Sequence, residues 1–173
     1  TSGGQSVAIV ATGRNYPDAL AAGPAAGYMG GPVILTDGNS TTLPAATKKL
    51  LTDLGVTLVI IAGGTGAVST GIENGLKSAF GADHVVRLAG ASRYDTAAEI
   101  NANTFPVTDF SLLASGANFP DALAGAPLAG SLGAPLFLTD PRCITQGAAS
   151  GITDQRSNGV LLLGGQGALS TDV

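Results

Sequence analysis

Two short stretches of this 173-residue chain set polar side chains where a ligand can be held: GRNYPDAL at 13–20 and GANFPDAL at 116–123. Each follows an apolar run and leads through Pro-Asp into a helical stretch, so Asn and Asp fall beside a positive helix end. At such an edge of an α/β sheet, backbone N–H groups suit anionic ligands. A second role competes with this one. Asn15 and Asn118 can cap the helix while Asp18 and Asp121 satisfy its first turn. Because both stretches keep these residues, a structural need explains them at least as well. Arg14 differs, since Ala117 stands in its place in the second stretch. A cation that the local fold does not demand is the better candidate for binding, so Arg14, Asn15 and Asn118 are the first ligand-binding candidates.

GGTGAVS at 63–69 and GGQGALS at 164–170 also follow apolar runs. Glycines there let a ligand approach the backbone, as in phosphate-binding loops, but the Lys of a P-loop is missing. A tight strand-to-helix turn is the favoured role. Thr65 and Gln166 vary between the two turns, as suits exposed positions, and are candidate contacts. Arg93, in RYDT at 93–96, suits bidentate pairing with a carboxylate. Its expected partner is Asp121 in a structural lock, with an acidic ligand group as the alternative.

Catalytic patterns are missing. His84 is the sole histidine, which leaves one possible base for a Ser–His–Asp triad. Cys143 is the sole cysteine, so no internal disulfide and no CxxC exist, and there is no HExxH. Asp37 and Asp140 each follow Leu-Thr at the end of an apolar run, where metal-binding carboxylates can sit. Yet the chain has only two Glu and no DxD, and Asp-Gly and Asp-Pro turns explain both residues. No catalytic residue, metal site or cofactor is expected.

The elements that must position these residues alternate. VAIVA (7–11), PVILT (32–36), TLVIIA (57–62), HVVRL (84–88), SLLA (111–114), PLFLT (135–139) and VLLLG (160–164) read as buried strands of mainly parallel sheets. Helical stretches lie between them at 17–29, 44–54, 70–80, 93–103 and 120–132. That alternation is the α/β class, with right-handed crossovers expected. Pro17 and Pro120 suit the first helical turn, whereas Pro24 and Pro127 should kink or split their helices.

The order of elements also repeats. Residues 12–37 align with 115–140 without a gap, with 15 of 26 positions identical, and GGTGAVST at 63–70 returns as GGQGALST at 164–171. A period near 100 residues means tandem small modules rather than a solenoid. Residues 1–92 form the first module and 93–173 the second. Helix 93–103 joins them with no Ser/Gly/Pro-rich linker, so little relative motion is expected. RCITQGAA at 142–149 loses the LPAAT pattern of 43–47.

RLAGASRYDTAAEI (87–100), NFPDALAGAPLAGSLGAPLFLTD (118–140) and LLLGGQGALS (161–170) together resemble the type 2 cell-wall-binding repeat of bacterial S-layer and other surface proteins. The first half is similar to the same unit without its RYxT segment. The resemblance implies a non-catalytic module that anchors a secreted protein to the bacterial cell wall, with an anionic secondary wall polymer or glycan as partner. Members usually carry three repeats around a pseudo-threefold axis, which implies packing with further repeats or a homo-oligomer here. The second copy stops where its next helix should begin, so an apolar face is expected to be left for a partner.

Composition bounds these readings. Hydrophobic content of 45% with 12% charge supports a real core rather than disorder. No apolar run is long enough to span a membrane, and no signal peptide is visible. A net charge of −4 argues against nucleic acid and gives no general attraction to an acidic polymer. Two further classes stay open: an enzyme acting on wall sugars or phosphates, and an assembly module without a ligand.

Overall fold

The computed structural model describes residues 6–173. Strands and helices alternate along the chain: β1 (Val7–Thr12), α1 (Pro17–Met29), β2 (Val33–Thr36), α2 (Ala45–Asp53), β3 (Leu58–Ala62), α3 (Thr70–Phe80), β4 (Val85–Leu88), α4 (Arg93–Thr104), β5 (Phe110–Ser115), α5 (Pro120–Leu132), β6 (Leu136–Thr139), α6 (Gln146–Asp154) and β7 (Gly159–Leu163). They build two parallel sheets, ordered β2-β1-β3-β4 and β6-β5-β7. The three strands of the second sheet repeat the register of β2, β1 and β3 in the first. Ile9 pairs with Val33 as Leu112 pairs with Leu136, and Val7 pairs with Leu58 as Phe110 pairs with Gly159. The expected α/β class and tandem parallel sheets are therefore present.

Strand alternation sorts the apolar residues into two layers. On one face of the first sheet, Ala8, Val10, Val59 and Ile61 pack with Leu51, Ile72 and Leu76 of α2 and α3. On the other face, Ile9, Ala11 and Ile60 join α1 in a cluster that continues into Ile100, Leu112, Ala122, Ala129 and Leu136. The halves thus share one buried core. Small residues permit this. α1 and α5 approach so closely that a Cβ on Gly23 would lie 3.4 Å from that of Ala126, and one on Gly27 would lie 3.7 Å from Gly130. α4 completes the layer against α1, β6 and α6. Its buried Asn101 donates to the Leu136 carbonyl at 3.0 Å on the free edge of β6.

Two local expectations are corrected. Neither α1 nor α5 is split at Pro24 or Pro127, because losing one N–H···O bond does not end a helix whose flanking turns are held by packing. Asn15 and Asn118 are not the caps. Tyr16 and Phe119 occupy the N-cap positions without a side-chain hydrogen bond, and Asn15 Oδ1 accepts only from the adjacent Tyr16 N–H at 3.0 Å.

Candidate functional site

β1 ends in the turn Gly13–Tyr16, and the N-terminus of α1 follows with Pro17 at its first position. Proline has no N–H and no side chain caps the next donors, so the positive end of α1 is bare. Beside it lie the glycine turn after β3 and the N-terminus of α4. Together they enclose a polar cleft of about 230 Å³ whose lining includes Asn15, Asp18, Gly64, Ser92, Arg93 and Thr96. A second hollow of about 460 Å³ continues past Asn15 and Asp18 to Thr12, Arg14, Asn39 and Gly66.

Asp18 is the half-buried centre of this cleft. Its carboxylate rests against Gly63, where an added Cβ would collide with Oδ2 and where φ is +102°, so glycine is required twice over. Burial pushes the Asp18 pKa up, and the positive charge of Arg93 pulls it partly back. Arg93 opens α4 and donates from Nη1 to the Gly116 carbonyl at 2.7 Å. It therefore touches the turn after β5 while facing the acid of α1. The expected Arg93–Asp121 lock is not formed. The RYDT segment is tethered to the end of β4, which places its arginine at the first acid rather than the second.

The rest of RYDT is structural. Ser92 caps α4 by accepting from the Asp95 N–H at 3.2 Å, and its hydroxyl donates to the Asp95 carboxylate at 2.8 Å. Thr96 is buried, and its Oγ1 accepts from the Gly90 N–H at 3.1 Å, closing the loop before the helix.

Arg14 is exposed and pairs with Asp37, its Nε donating to Oδ1 at 2.5 Å. The pairing lowers the Asp37 pKa and raises that of Arg14. The second half answers the same need from a different position. Asp140 accepts from the Arg142 backbone N–H at 2.9 Å, with the Arg142 Nε 3.7 Å away. Each strand-end aspartate thus has one arginine beside it, although Arg14 has no counterpart at Ala117.

Arg14, Asn15 and Arg93 are brought together along one edge, with Thr65 exposed at the tip of the turn between them. Asn118 and Gln166 are exposed at the equivalent edge of the second sheet. Sequence reasoning missed the contact between the two turns themselves. The Tyr16 hydroxyl donates to the Ala117 carbonyl at 3.0 Å, and its ring packs against Phe119 with centroids 5.4 Å apart. An aromatic residue before Pro-Asp in both copies was the available signal. Among the described residues, no group of three or more His, Cys, Asp or Glu is placed to hold a metal. His84 is exposed, with Nδ1 3.0 Å from the Phe80 carbonyl. Among the described residues, no helix is long and apolar enough to cross a membrane.

Comparison with known proteins agrees with this architecture. Residues 2–73 and 87–173 match the family described as cell wall binding domain 2. The chain is 32% identical over 171 residues to the N-acetylmuramoyl-L-alanine amidase LytC of Bacillus subtilis, covering 99% of this chain and 33% of that protein. It is 29% identical to the amidase enhancer of the same organism, covering 99% of this chain and 23% of that protein. Among solved structures, Cwp6 from Clostridium difficile superposes with a TM-score of 0.85 at 28% identity, over 98% of this chain and 27% of that one. Cwp8 from the same organism gives 0.81 at 27% identity, over 93% of this chain and 27% of that one. The chain therefore spans a third or less of the relatives it matches. It belongs to the cell wall binding domain 2 family and is a cell-wall-binding module.

Proposed function

We propose that this cell wall binding domain 2 protein anchors a secreted polypeptide by holding an anionic secondary wall polymer in the cleft between α1 and α4. The convergence of Asn15, Asp18, Arg93 and the bare N-terminus of α1 carries this reading. An amide and a carboxylate suit sugar hydroxyls, while a guanidinium and free backbone N–H groups suit phosphate or carboxylate. With a net charge of −4, attraction must come from such local groups rather than from the overall field. Arg14, Thr65 and, in the second copy, Asn118 and Gln166 extend the proposed contacts.

We also propose that residues 1–92 and 93–173 are the two modules, and that the chain packs with further repeats or a second copy of itself. The relatedness to an amidase is compatible with binding alone, because the matched region is a third of that protein. A pull-down against purified walls, before and after the acidic polymers are stripped, tests the polymer assignment. Binding should fall on stripped walls, and Asn15→Ala should weaken binding to intact walls. Equal binding to both wall preparations would overturn it.

A further inference from the structure

The turn after β3 begins with two glycines, Gly63 and Gly64. Gly64 lines the cleft between α1 and α4, and Gly66 and Ala67 line the hollow beyond it. Downstream the turn closes on itself, because the Ala67 and Val68 N–H groups both donate to the Gly64 carbonyl, at 2.9 and 3.0 Å. The peptide unit between Gly63 and Gly64 has no such internal tie to its carbonyl. With no Cβ on either side, it can rotate about ψ of Gly63 and φ of Gly64 at small cost. Something outside the turn must set which way it faces.

Arg87 supplies that constraint. It pairs in register with Ile61, on the face of the sheet that packs against α3, and its Nη1 donates to the Gly63 carbonyl at 2.6 Å. Its Nε and Nη2 donate to Glu73 Oε2 at 3.0 and 2.8 Å, and Glu73 Oε1 accepts from Lys77 at 2.7 Å. The Arg87 and Glu73 side chains are only 15% and 17% exposed, so this is a packed brace rather than a loose surface pair. A planar guanidinium held by Glu73 through two nitrogens has one direction left in which to offer the third. A trans peptide carries its C=O and N–H on opposite sides, and the described residues contain no cis peptide. With the Gly63 carbonyl drawn to Arg87, the Gly64 N–H points away from α3, toward the cleft side. Among the described residues no partner accepts from the N–H groups of Gly64, Thr65 or Gly66.

We infer that Arg87 and Glu73, which do not line the cleft, are positioning residues for wall binding: they fix the Gly63–Gly64 peptide so that the turn offers an N–H donor, not a carbonyl, to the acidic polymer. This rests on the polymer being held between α1 and α4. Successive free N–H groups in a turn make a concavity suited to an anion, and a carbonyl in their midst would repel one. The same rotation that Arg87 prevents can be penalised in a second way. Gly64 has open space where a Cβ would stand and no left-handed φ, so alanine fits the observed turn. Reversing the peptide drives φ of residue 64 toward positive values, which alanine resists and glycine does not.

The test compares wild type, Lys77→Met, Arg87→Met and the double variant Arg87→Met with Gly64→Ala, each checked for folding by circular dichroism. One readout is pull-down on intact and stripped walls. The other is the nuclear Overhauser effect between the Gly63 Hα protons and the Gly64 amide proton, which reports ψ of Gly63. Arg87→Met should weaken binding to intact walls about tenfold and change the Overhauser effect. Lys77→Met also takes a cation from Glu73 but leaves the turn untouched, so its binding should stay within about twofold of wild type. Adding Gly64→Ala to Arg87→Met should restore the wild-type Overhauser effect, which a merely stabilising role for Arg87 does not predict. If Arg87→Met does not fold, Arg87→Lys takes its place with the same readouts, since it keeps a cation beside Glu73 without the fork that spans both partners. An unchanged Overhauser effect in the folded Arg87 variant, or a binding loss no larger than that of Lys77→Met, would overturn the brace. Equal binding of wild type to stripped and intact walls would remove the polymer reading alone, because the Overhauser effect and the loss on either wall still decide the role of Arg87.

Discussion

Asp18 and Arg93 come from opposite ends of the first sheet's connectivity, yet they face each other across the same cleft. Asp18 sits in the first turn of α1 and Arg93 opens α4, while the Arg93 guanidinium also reaches the Gly116 carbonyl of the second half. One side chain therefore joins the start of α4 to the turn after β5 while its charge acts on the acid at the N-terminus of α1. Two effects on Asp18 oppose each other, and burial outweighs the attraction of Arg93, so the folded protein holds the Asp18 proton more tightly than an exposed aspartate would.

Removing the cation should expose that balance. Arg93→Ala leaves the half-buried carboxylate without its counter-charge and should destabilise the fold by about 1–3 kcal/mol near neutral pH. The sign with pH follows from a raised folded pKa: stability present at low pH is lost as pH rises through the carboxylate range. Asp18→Asn should rescue most of the loss. Urea unfolding at pH 4 and pH 7, on the two single variants and the double, measures this. Simple additivity of the two substitutions would show that the residues do not interact.

Glu73 should govern acid sensitivity in the opposite sense. Its carboxylate accepts from Lys77 at 2.7 Å and from Arg87 at 2.8 and 3.0 Å, and Arg87 also holds the Gly63 carbonyl at 2.6 Å. These cations depress the Glu73 pKa, so its contribution is present above the ordinary glutamate value and lost as pH falls through the folded one. Glu73→Gln should lower stability at neutral pH by about 1–3 kcal/mol and flatten the acid limb of a melting-temperature profile. An unchanged acid limb in the variant would assign the sensitivity elsewhere.

The contact between α1 and α5 should not tolerate bulk. Gly27→Leu would drive a side chain toward Gly130, whose Cα lies 3.7 Å from the position a Cβ would take. The expected loss is about 1–3 kcal/mol, with unfolding that separates into two transitions as the shared core is wedged apart. Calorimetry distinguishes this from a single shifted transition, which would mean that the helices yield without parting.

On intact walls, Arg14→Ala should weaken binding by about tenfold without unfolding the protein, because a charge-assisted contact of that size is lost. Its ion pair with Asp37 is exposed and contributes little to the fold. Asp37→Ala should therefore free the guanidinium and leave binding equal or stronger. Circular dichroism checks the fold, and wall pull-down checks affinity. Wild-type binding by Arg14→Ala would place the contact elsewhere along the edge.

The repeated order of strands and helices was legible in the chain because it depends on local pattern. Apolar β-branched runs bounded by Gly, Pro and Asp make strands whatever surrounds them, and the gap-free match of 12–37 with 115–140 required one register for both sheets. Arg14, Asn15 and Arg93 were recognisable as site candidates for the same reason, since their residue types and their places at turns are local facts. What only the tertiary structure decided were pairings across distance. Arg93 faces Asp18 rather than Asp121 because β4 carries α4 to the first acid, and no spacing in the sequence encodes that choice. Asn15 yields the cap to Tyr16 because the turn is held by the Tyr16–Ala117 bond and the contact with Phe119. Pro24 stays inside an unbroken helix because the packing of α1 against α4 and α5 outweighs one missing hydrogen bond.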